Sequence, residues 1–262
     1  MGQKEQVSII MPTYNSGVYL EATLLSIISQ TYRNWELLIT DDCSSDNTVA
    51  IIERYMLEDD RIKLYRLKAN SGPAVARNLS IDKAKGRYIA FCDSDDIWLE
   101  SKLEEQICFM NSNSYSFTYT NLQYCNFQGE IRGHRNCPKR ITYRKLLISC
   151  GMVCSSVIYD ASILGKFYMP LIRKRQDWAL WLQIIRRAGK AYCLNRYLLI
   201  YRMVPNSVSS KKLQLIKYNW AVYRDVEPLV SGKKLRVIKK ASFDDTLITW
   251  PNQLLCPLKE TV

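Results

Sequence analysis

The chain has 262 residues, which is enough for one large domain or two small ones with a conventional hydrophobic core. Its 47% apolar and 24% charged residues exclude a disordered, fibrous or repeat-built protein. Lysine and arginine outnumber aspartate and glutamate by 37 to 25, and the resulting net charge of +12 is typical of proteins that bind nucleic acid, an anionic membrane face or phosphorylated ligands.

Several common functional signatures are missing from the sequence. No apolar run approaches the ~18 residues of a membrane-spanning helix, and no signal peptide is recognisable, so we predict a cytoplasmic protein. The nine cysteines form no CxxC pair, which predicts free, buried thiols rather than a zinc site or disulfides. His134 is the single histidine, which disfavours a catalytic triad built on histidine. Neither the glycine-rich dinucleotide-binding motif nor the P-loop motif occurs in the sequence.

Up to residue 98, short apolar runs alternate with amphipathic helical stretches. The runs lack polar alternation, as expected for strands buried on both faces, and this order predicts a mostly parallel sheet with helices on both faces. The predicted strands are Val7–Met11, Glu36–Thr40, Arg61–Leu67 and Arg87–Cys92, and the helices between them carry Leu20–Ile28, Val49–Met56 and Pro73–Ala84.

Beyond residue 98 the pattern becomes mixed rather than strictly β-α. A helix on Leu99–Met110, a strand at Tyr115–Tyr124, a helix from Trp178 to Gly189 and a strand at Ala191–Tyr201 are predicted. Residues 206–262 interleave lysines with leucine, tryptophan and tyrosine, which predicts a basic, amphipathic, helical C-terminal segment. Such a segment either binds an anionic membrane, packs across the main domain or mediates self-association.

Three polar clusters directly follow predicted strands. Because ligands of open α/β sheets bind beyond the carboxyl ends of the strands, we expect the clusters to converge on one crevice. The crowded aspartates of the third favour Mn²⁺ or Mg²⁺ with a diphosphate completing the shell, and the alternative is a solvated turn that caps the next helix. The clusters are Pro12-Thr13-Tyr14-Asn15, Asp41-Asp42 and Asp93-Ser94-Asp95-Asp96.

Each of three single side chains has two interpretations, and for Tyr14 and Asp177 the purely structural one is the default. Tyr14 either stacks on a nucleobase or belongs to the rim of the core. Arg77 either clamps a phosphate or forms a surface ion pair. Asp177, where a helix is predicted to begin, either caps that helix or acts as a base.

The motifs occur in a characteristic order along the chain: Pro12–Asn15, Ser29–Tyr32, Trp35–Asp46, Asn70–Asn78, Gly86–Tyr88, Asp93–Asp96, Gln176–Trp178 and Tyr201-Arg202. This order closely resembles that of the bacterial family 2 glycosyltransferases, which are inverting enzymes of the GT-A fold, and the resemblance is most specific up to Asp96. It implies a Rossmann-like GT-A catalytic domain over residues 1–205, with a nucleotide-sugar-binding half at 1–98 and an acceptor-binding half at 99–205.

The resemblance also implies roles for individual residues. Asp177 corresponds to the family's catalytic base, and Asp93 and Asp95 form the DxD pair that holds Mn²⁺ or Mg²⁺, with Asp95 as the main ligand. The donor nucleotide would be bound by Pro12, Thr13, Tyr14, Asn15, Asp41, Asp42, Arg77, Asp93 and Ser94, with Tyr14 against the uracil. Two departures weaken the pattern, since Gln176 replaces a common glutamate and no histidine follows Tyr201-Arg202.

Family members of this kind act in O-antigen and surface polysaccharide assembly. The resemblance implies transfer of glucose or galactose from a UDP-sugar to GlcNAc or GalNAc on a polyprenyl diphosphate, with formation of a β1,3 linkage. It also implies that the enzyme is peripheral on the inner face of the plasma membrane. A homodimer is a further expectation. The alternative is a non-catalytic nucleotide-sugar-binding or scaffolding protein, and we expect no nucleic-acid partner because the clustered aspartates would repel a phosphate backbone.

Overall fold

The computed structural model describes residues 5–172, 174–204 and 222–223. Its first part alternates strands and helices, as the apolar runs predict. The strands β1 (Val7–Thr13) and β2 (Trp35–Asp41) are buried along their whole length, as expected for strands covered on both faces. The elements are β1 (Val7–Thr13), α1 (Leu20–Ile28), β2 (Trp35–Asp41), α2 (Thr48–Glu58), β3 (Ile62–Arg66), α3 (Pro73–Lys83) and β4 (Tyr88–Phe91).

The second part is mixed, which confirms the loosening of the sequence pattern. Its longest described helix is α7 (Gln176–Ala188), whose apolar face is buried, and its longest described strand is β10 (Lys190–Arg202), which pairs with three other strands. The elements are β5 (Ile97–Trp98), α4 (Lys102–Asn113), β6 (Phe117–Cys125), β7 (Ile131–Arg135), β8 (Arg140–Thr142), α5 (Tyr143–Leu146), a 3-10 turn (Cys154–Ser156), β9 (Ile158–Asp160), α6 (Ala161–Leu164), α7 (Gln176–Ala188) and β10 (Lys190–Arg202).

All these strands form one sheet in the order β3-β2-β1-β4-β9-β6-β10-β5, with β7 on β6 and β8 on β10. The first four strands in this order are parallel, and so is the pair of β6 and β10. Between these two parallel groups lies β9, which runs antiparallel to both β4 and β6. The sheet and its hydrophobic core are therefore continuous across the first and second parts of the chain.

One close approach at the end of α3 fixes where β4 begins. A Cβ added to Gly86 would lie 2.6 Å from the backbone nitrogen of Ser8 and 2.8 Å from the carbonyl oxygen of Gln6. The Gly86 N–H donates to the Ser8 hydroxyl at 2.8 Å. Only glycine allows the two backbones to come this close, and the contact aligns β4 with β1.

Most of the predicted C-terminal segment 206–262 lies outside the described residues. Its two described members, Val222 and Tyr223, are buried. The Tyr223 hydroxyl donates to the Leu147 carbonyl, and its ring meets Trp178 edge-on with centroids 5.6 Å apart. At these two residues the segment packs on the main domain, and no helix in the described part of the chain has the length and apolarity to cross a bilayer.

The eight described cysteines are unpaired, as predicted. The expectation that they are buried is wrong for Cys43 and Cys108, which are exposed. Cys43 follows Asp41-Asp42 in a loop with positive φ, and Cys108 lies on the outer face of α4, so neither position faces the core.

Candidate active site

The loops that follow β1 and β2 are bound to each other at one edge of the sheet. The Asn15 N–H donates to the Ser44 hydroxyl at 2.9 Å, and the Asn15 side-chain oxygen accepts from the Ser45 N–H at 2.8 Å. Asn15 adopts a positive φ of 46°, which asparagine tolerates better than most residues. This arrangement leaves the neighbouring Tyr14 half-exposed at the mouth of the crevice.

The two carboxylates at the end of β2 are buried and saturated with internal hydrogen bonds. Asp41 accepts from the backbone and the hydroxyl of Ser44, at 3.0 and 2.5 Å. Asp42 accepts from the N–H groups of Ser71 at 2.6 Å and Gly72 at 2.8 Å. Asp42 therefore holds the loop that leads into α3, and Gly72 takes a positive φ of 91° immediately before Pro73 begins the helix.

Arg77 projects from α3 to the end of β4. Its guanidinium lies 2.5 Å from a carboxylate oxygen of Asp93, and both side chains are largely shielded from water. Burial lowers the pKa of Arg77, but the charges of Asp93 and, more weakly, Asp177 raise it above its usual value. Its buried Nε atom has no hydrogen-bond partner among the described residues, so a donor there is left for a bound oxygen.

The Asp93–Asp96 turn is fixed from behind by Ser155, which no sequence motif indicated, and by Arg202 of the Tyr201-Arg202 motif. The Ser155 hydroxyl accepts from the Asp93 N–H at 3.0 Å and donates to Asp96 at 2.5 Å. The Arg202 N–H donates to the other Asp96 oxygen at 3.1 Å, and its Nε donates to the Asp95 carbonyl at 3.0 Å. Asp96 is fully buried and precedes a strand, so the alternative of a solvated, helix-capping turn is wrong.

Ser94 connects this turn to the start of the chain. Its hydroxyl lies 2.8 Å from that of Ser16, and its carbonyl accepts from the Thr23 hydroxyl at 3.1 Å. Thr13, at the end of β1, is buried, and its hydroxyl has no partner within the described part of the chain. Ser94, which follows β4, is thus bound to the loop and the helix that follow Thr13 at the end of β1.

The chemistry of the turn fits a divalent cation. Burial and the charge of Asp93 raise the pKa of Asp95 to about 6, which shows that its negative charge is poorly compensated. Carboxylate oxygens are the ligands that Mg²⁺ and Mn²⁺ prefer. The described residues contain no group of three or more His, Cys, Asp or Glu side chains arranged for a metal, so Asp93 and Asp95 would need further oxygen ligands from a diphosphate or water.

Asp177 lies in the first turn of α7, but it does not cap the helix. The helix begins at Gln176, and the N-cap is Arg175, which has a positive φ of 65°. The capping alternative for Asp177 is therefore wrong. The carboxylate is partly exposed, and its charge raises the pKa values of Cys150, Cys154 and Arg77, the arginine that pairs with Asp93.

This geometry, with carboxylates and an arginine around the carboxyl ends of a parallel sheet, fits the nucleotide-sugar transferase of GT-A type that the motifs led us to expect. The family model described as Glycosyl transferase family 2 matches residues 8–165, and the chain belongs to that family. It is a glycosyltransferase, as the order of its motifs predicted.

Named relatives agree with this assignment. The chain is 42% identical over 217 residues to the Escherichia coli UDP-Glc:alpha-D-GlcNAc-diphosphoundecaprenol beta-1,3-glucosyltransferase WfgD, covering 82% of this chain and 84% of that protein. The fold is similar to that of S. aureus TarS in complex with UDP-GlcNAc, with a TM-score of 0.70, 20% identity and coverage of 92% of this chain and 72% of the other. It is also similar to a Pyrobaculum calidifontis mannosyltransferase in complex with GDP-Man and Mn²⁺, with a TM-score of 0.66, 16% identity and coverage of 92% and 70%.

Proposed function

We propose that this protein is an inverting, metal-dependent glucosyltransferase that uses UDP-glucose and forms a β1,3 linkage to GlcNAc on a polyprenyl diphosphate. The observation that carries the chemistry is the position of Arg77, which pairs with Asp93 and interacts electrostatically with Asp177. In this proposal, the residues that stabilise the leaving group, Arg77 and Asp93, and the base, Asp177, lie in one crevice. The relationship to WfgD over most of both chains favours the glucose donor and the GlcNAc acceptor over galactose and GalNAc.

The donor nucleotide would occupy the loops after β1 and β2. Tyr14, which is half-exposed, would stack on the uracil, while Pro12, Thr13 and Asn15 form the wall beside it. Asp41 and Asp42 are buried, and their oxygens already accept hydrogen bonds from their own loops. Their contribution to the nucleotide is therefore to shape its pocket as well as to contact the base.

The diphosphate would lie between α3 and the Asp93–Asp96 turn. Asp93 and Asp95 would hold the cation, and Ser94 and Arg77 would flank it, with the free Nε of Arg77 available to a phosphate oxygen. When bound, Mn²⁺ or Mg²⁺ neutralises the charge that develops on the departing diphosphate. Arg77 adds a fixed positive charge at the same place, which the protein supplies on its own.

Asp177 would accept the proton of the attacking acceptor hydroxyl. Its carboxylate receives no hydrogen bond from the described residues and is partly exposed, so it is available to a substrate. The acceptor hydroxyl would attack the sugar carbon from one face while the diphosphate leaves from the opposite face, so the configuration at that carbon is inverted. Because the proposed acceptor carries a lipid, the reaction would take place at the cytoplasmic membrane surface, with the enzyme bound peripherally. Self-association stays a prediction.

Calorimetric titration with UDP, in the presence and absence of Mn²⁺, tests the donor site. We expect binding that depends on Mn²⁺ and is lost in Asp95→Ala, whereas Asp82→Ala, on the exposed surface of α3, serves as the matched control and binds normally. Transfer from UDP-glucose and UDP-galactose to a GlcNAc-diphosphate lipid then tests the substrates. Absence of UDP binding under both conditions would contradict the proposal, and a preference for UDP-galactose would overturn the donor assignment.

A further inference from the structure

A segment of the chain crosses the surface between α3 and α7 and leads to Asp177. We call residues 163–172 the strap. Both polar atoms of the Asn78 side chain bind the Met169 backbone, at 2.6 and 2.9 Å, and the Lys166 ammonium donates to the Asp82 carbonyl at 2.9 Å. At its far end the Ile172 carbonyl accepts from Gln176, the first residue of α7. The strap is therefore fixed to the active-site helix α3 and joined to the helix of the proposed base.

The side chains of the strap separate into an inner and an outer set. Leu164 and Met169 are buried, and Phe167 packs against the core. The outer set consists of large apolar side chains that are far from buried: Ile163 is 63%, Tyr168 44% and Leu171 74% exposed. These three are among only nine large apolar side chains that are exposed in the described part of the chain, so the strap has an unusual concentration of them.

The charge within the strap is positive. The sequence from Ala161 to Gln176 contains no aspartate or glutamate, and the carboxylates around it are those of Asp160 and Asp177, directly outside this stretch, and of the exposed Asp82 on α3, whose carbonyl binds Lys166. Lys166, on the strap, is exposed, and Lys174 and Arg175, which follow it, are partly exposed. An apolar strip bordered by lysine and arginine is complementary to a bilayer that has anionic headgroups above an apolar interior.

We propose that the outer face of the strap is the surface by which this enzyme docks on an anionic membrane. The inference rests on the proposed lipid-linked acceptor, whose reacting sugar is separated from the bilayer by only a diphosphate. Tyr168 and Leu171 enter the headgroup region, where tyrosine and leucine are favourable, and the basic groups bind lipid phosphates. Docking at this face brings Asp177, two residues after Arg175, close to the plane that holds the acceptor.

The test compares the full chain with two variants in sedimentation with vesicles of phosphatidylglycerol and phosphatidylcholine. The first variant combines Ile163→Ser, Tyr168→Ser and Leu171→Ser, and the control is Leu57→Ser, because Leu57 on α2 is 90% exposed. Each large apolar side chain transferred out of water contributes about 10-fold to partitioning, so we expect the triple variant to bind at least about 10-fold more weakly. The Leu57→Ser protein should bind as well as the unmodified chain, and both variants should retain UDP affinity.

Transfer rates separate this inference from the proposed function. With docking at the strap, the triple variant loses transfer to an acceptor embedded in vesicles but keeps transfer to a short-chain, water-soluble acceptor. Unchanged vesicle binding by the triple variant overturns the inference, as does failure of the unmodified chain to bind. A change in oligomeric mass of the triple variant without a change in vesicle binding also overturns it and indicates a second copy as the occupant. If the triple variant loses vesicle binding and the unmodified chain transfers sugar to neither acceptor, the docking surface is supported and the proposed function is refuted.

Discussion

Lys102 is a fully buried lysine, and its replacement should stabilise the protein in a manner that depends on pH. Its ammonium donates to the Gln106 side-chain oxygen at 3.0 Å and lies 4.0 Å from the centroid of the Trp98 ring. Burial lowers the pKa of Lys102 from 10.5 to about 7, against a smaller raising effect of Cys92. The folded protein thus binds this proton much less tightly than the unfolded chain does.

The sign of the effect follows from this difference. Above pH 10.5 the lysine is neutral in both states and costs nothing. As the pH falls below 10.5, the unfolded chain takes up a proton that the folded protein does not, so the free energy of unfolding decreases by about 1.4 kcal/mol per pH unit. The decrease ends near the folded-state pKa of about 7, where the penalty reaches its full value, on the order of 5 kcal/mol.

Lys102→Met keeps the length of the side chain and removes the titration. It also leaves the Gln106 oxygen without this donor, at a cost of about 1 to 3 kcal/mol that does not change with pH. The difference in free energy of unfolding between variant and unmodified protein should therefore grow by about 3 kcal/mol as the pH falls from about 10 to about 8. Because only the change with pH is compared, the lost hydrogen bond does not affect the result.

Urea unfolding at several pH values measures this difference. Lys83→Met is the matched control, because Lys83 is exposed on α3 and pairs with Asp82 at 3.3 Å at the surface. Its difference from the unmodified protein should stay nearly constant over the same range. A constant difference for Lys102→Met as well would refute the reasoning, since it would show that Lys102 stays charged inside the folded protein.

Three further predictions concern the active site and its frame. Asp177→Asn should lower transfer by about 100-fold or more while calorimetry shows unchanged UDP affinity, and normal turnover would contradict its role as base. Ser155→Ala removes a donor to Asp96 and an acceptor at Asp93, so urea unfolding should show a loss of about 1 to 3 kcal/mol, and a loss within error would contradict this. Gly86→Ala places a methyl group against the β1 backbone, and thermal unfolding should show destabilisation by more than about 2 kcal/mol, whereas an unchanged melting temperature would exclude the clash.

The strands of the first half could be predicted because their physical environment leaves a local mark. A strand covered on both faces is apolar at every position, and β1 and β2 show this over their whole length. By contrast, β9 has three residues, and its place between β4 and β6 depends on pairing with strands distant in sequence. Nothing within Ile158–Asp160 distinguishes such a strand from a loop, so its position required the structure.

The same distinction separates the predictable part of the site from the rest. The polar clusters after β1, β2 and β4 could be expected to converge because parallel strands end at the same edge of a sheet. Ser155 and Arg202 reach Asp96 across 59 and 106 residues of sequence. Such contacts have no local periodicity: no motif contains Ser155, and the Tyr201-Arg202 motif marks Arg202 without indicating that it binds Asp96.

The three aspartates of the Asp93–Asp96 turn have different environments, which divide their tasks. Asp96 is buried and accepts hydrogen bonds from Ser155 and Arg202, so it holds the turn in place. Asp93 is neutralised by Arg77. Asp95 has a pKa raised to about 6 because burial and the charge of Asp93 outweigh the lowering effects of a backbone hydrogen bond and of the charges of Arg202 and Arg77. Burial and the charges of Asp95 and Asp93 also raise the pKa of Asp96 well above its usual value, but both Asp96 oxygens already accept hydrogen bonds. A cation beside Asp93 and Asp95 would offset the charge at Asp95, which supports the proposal that Asp95 is the main metal ligand.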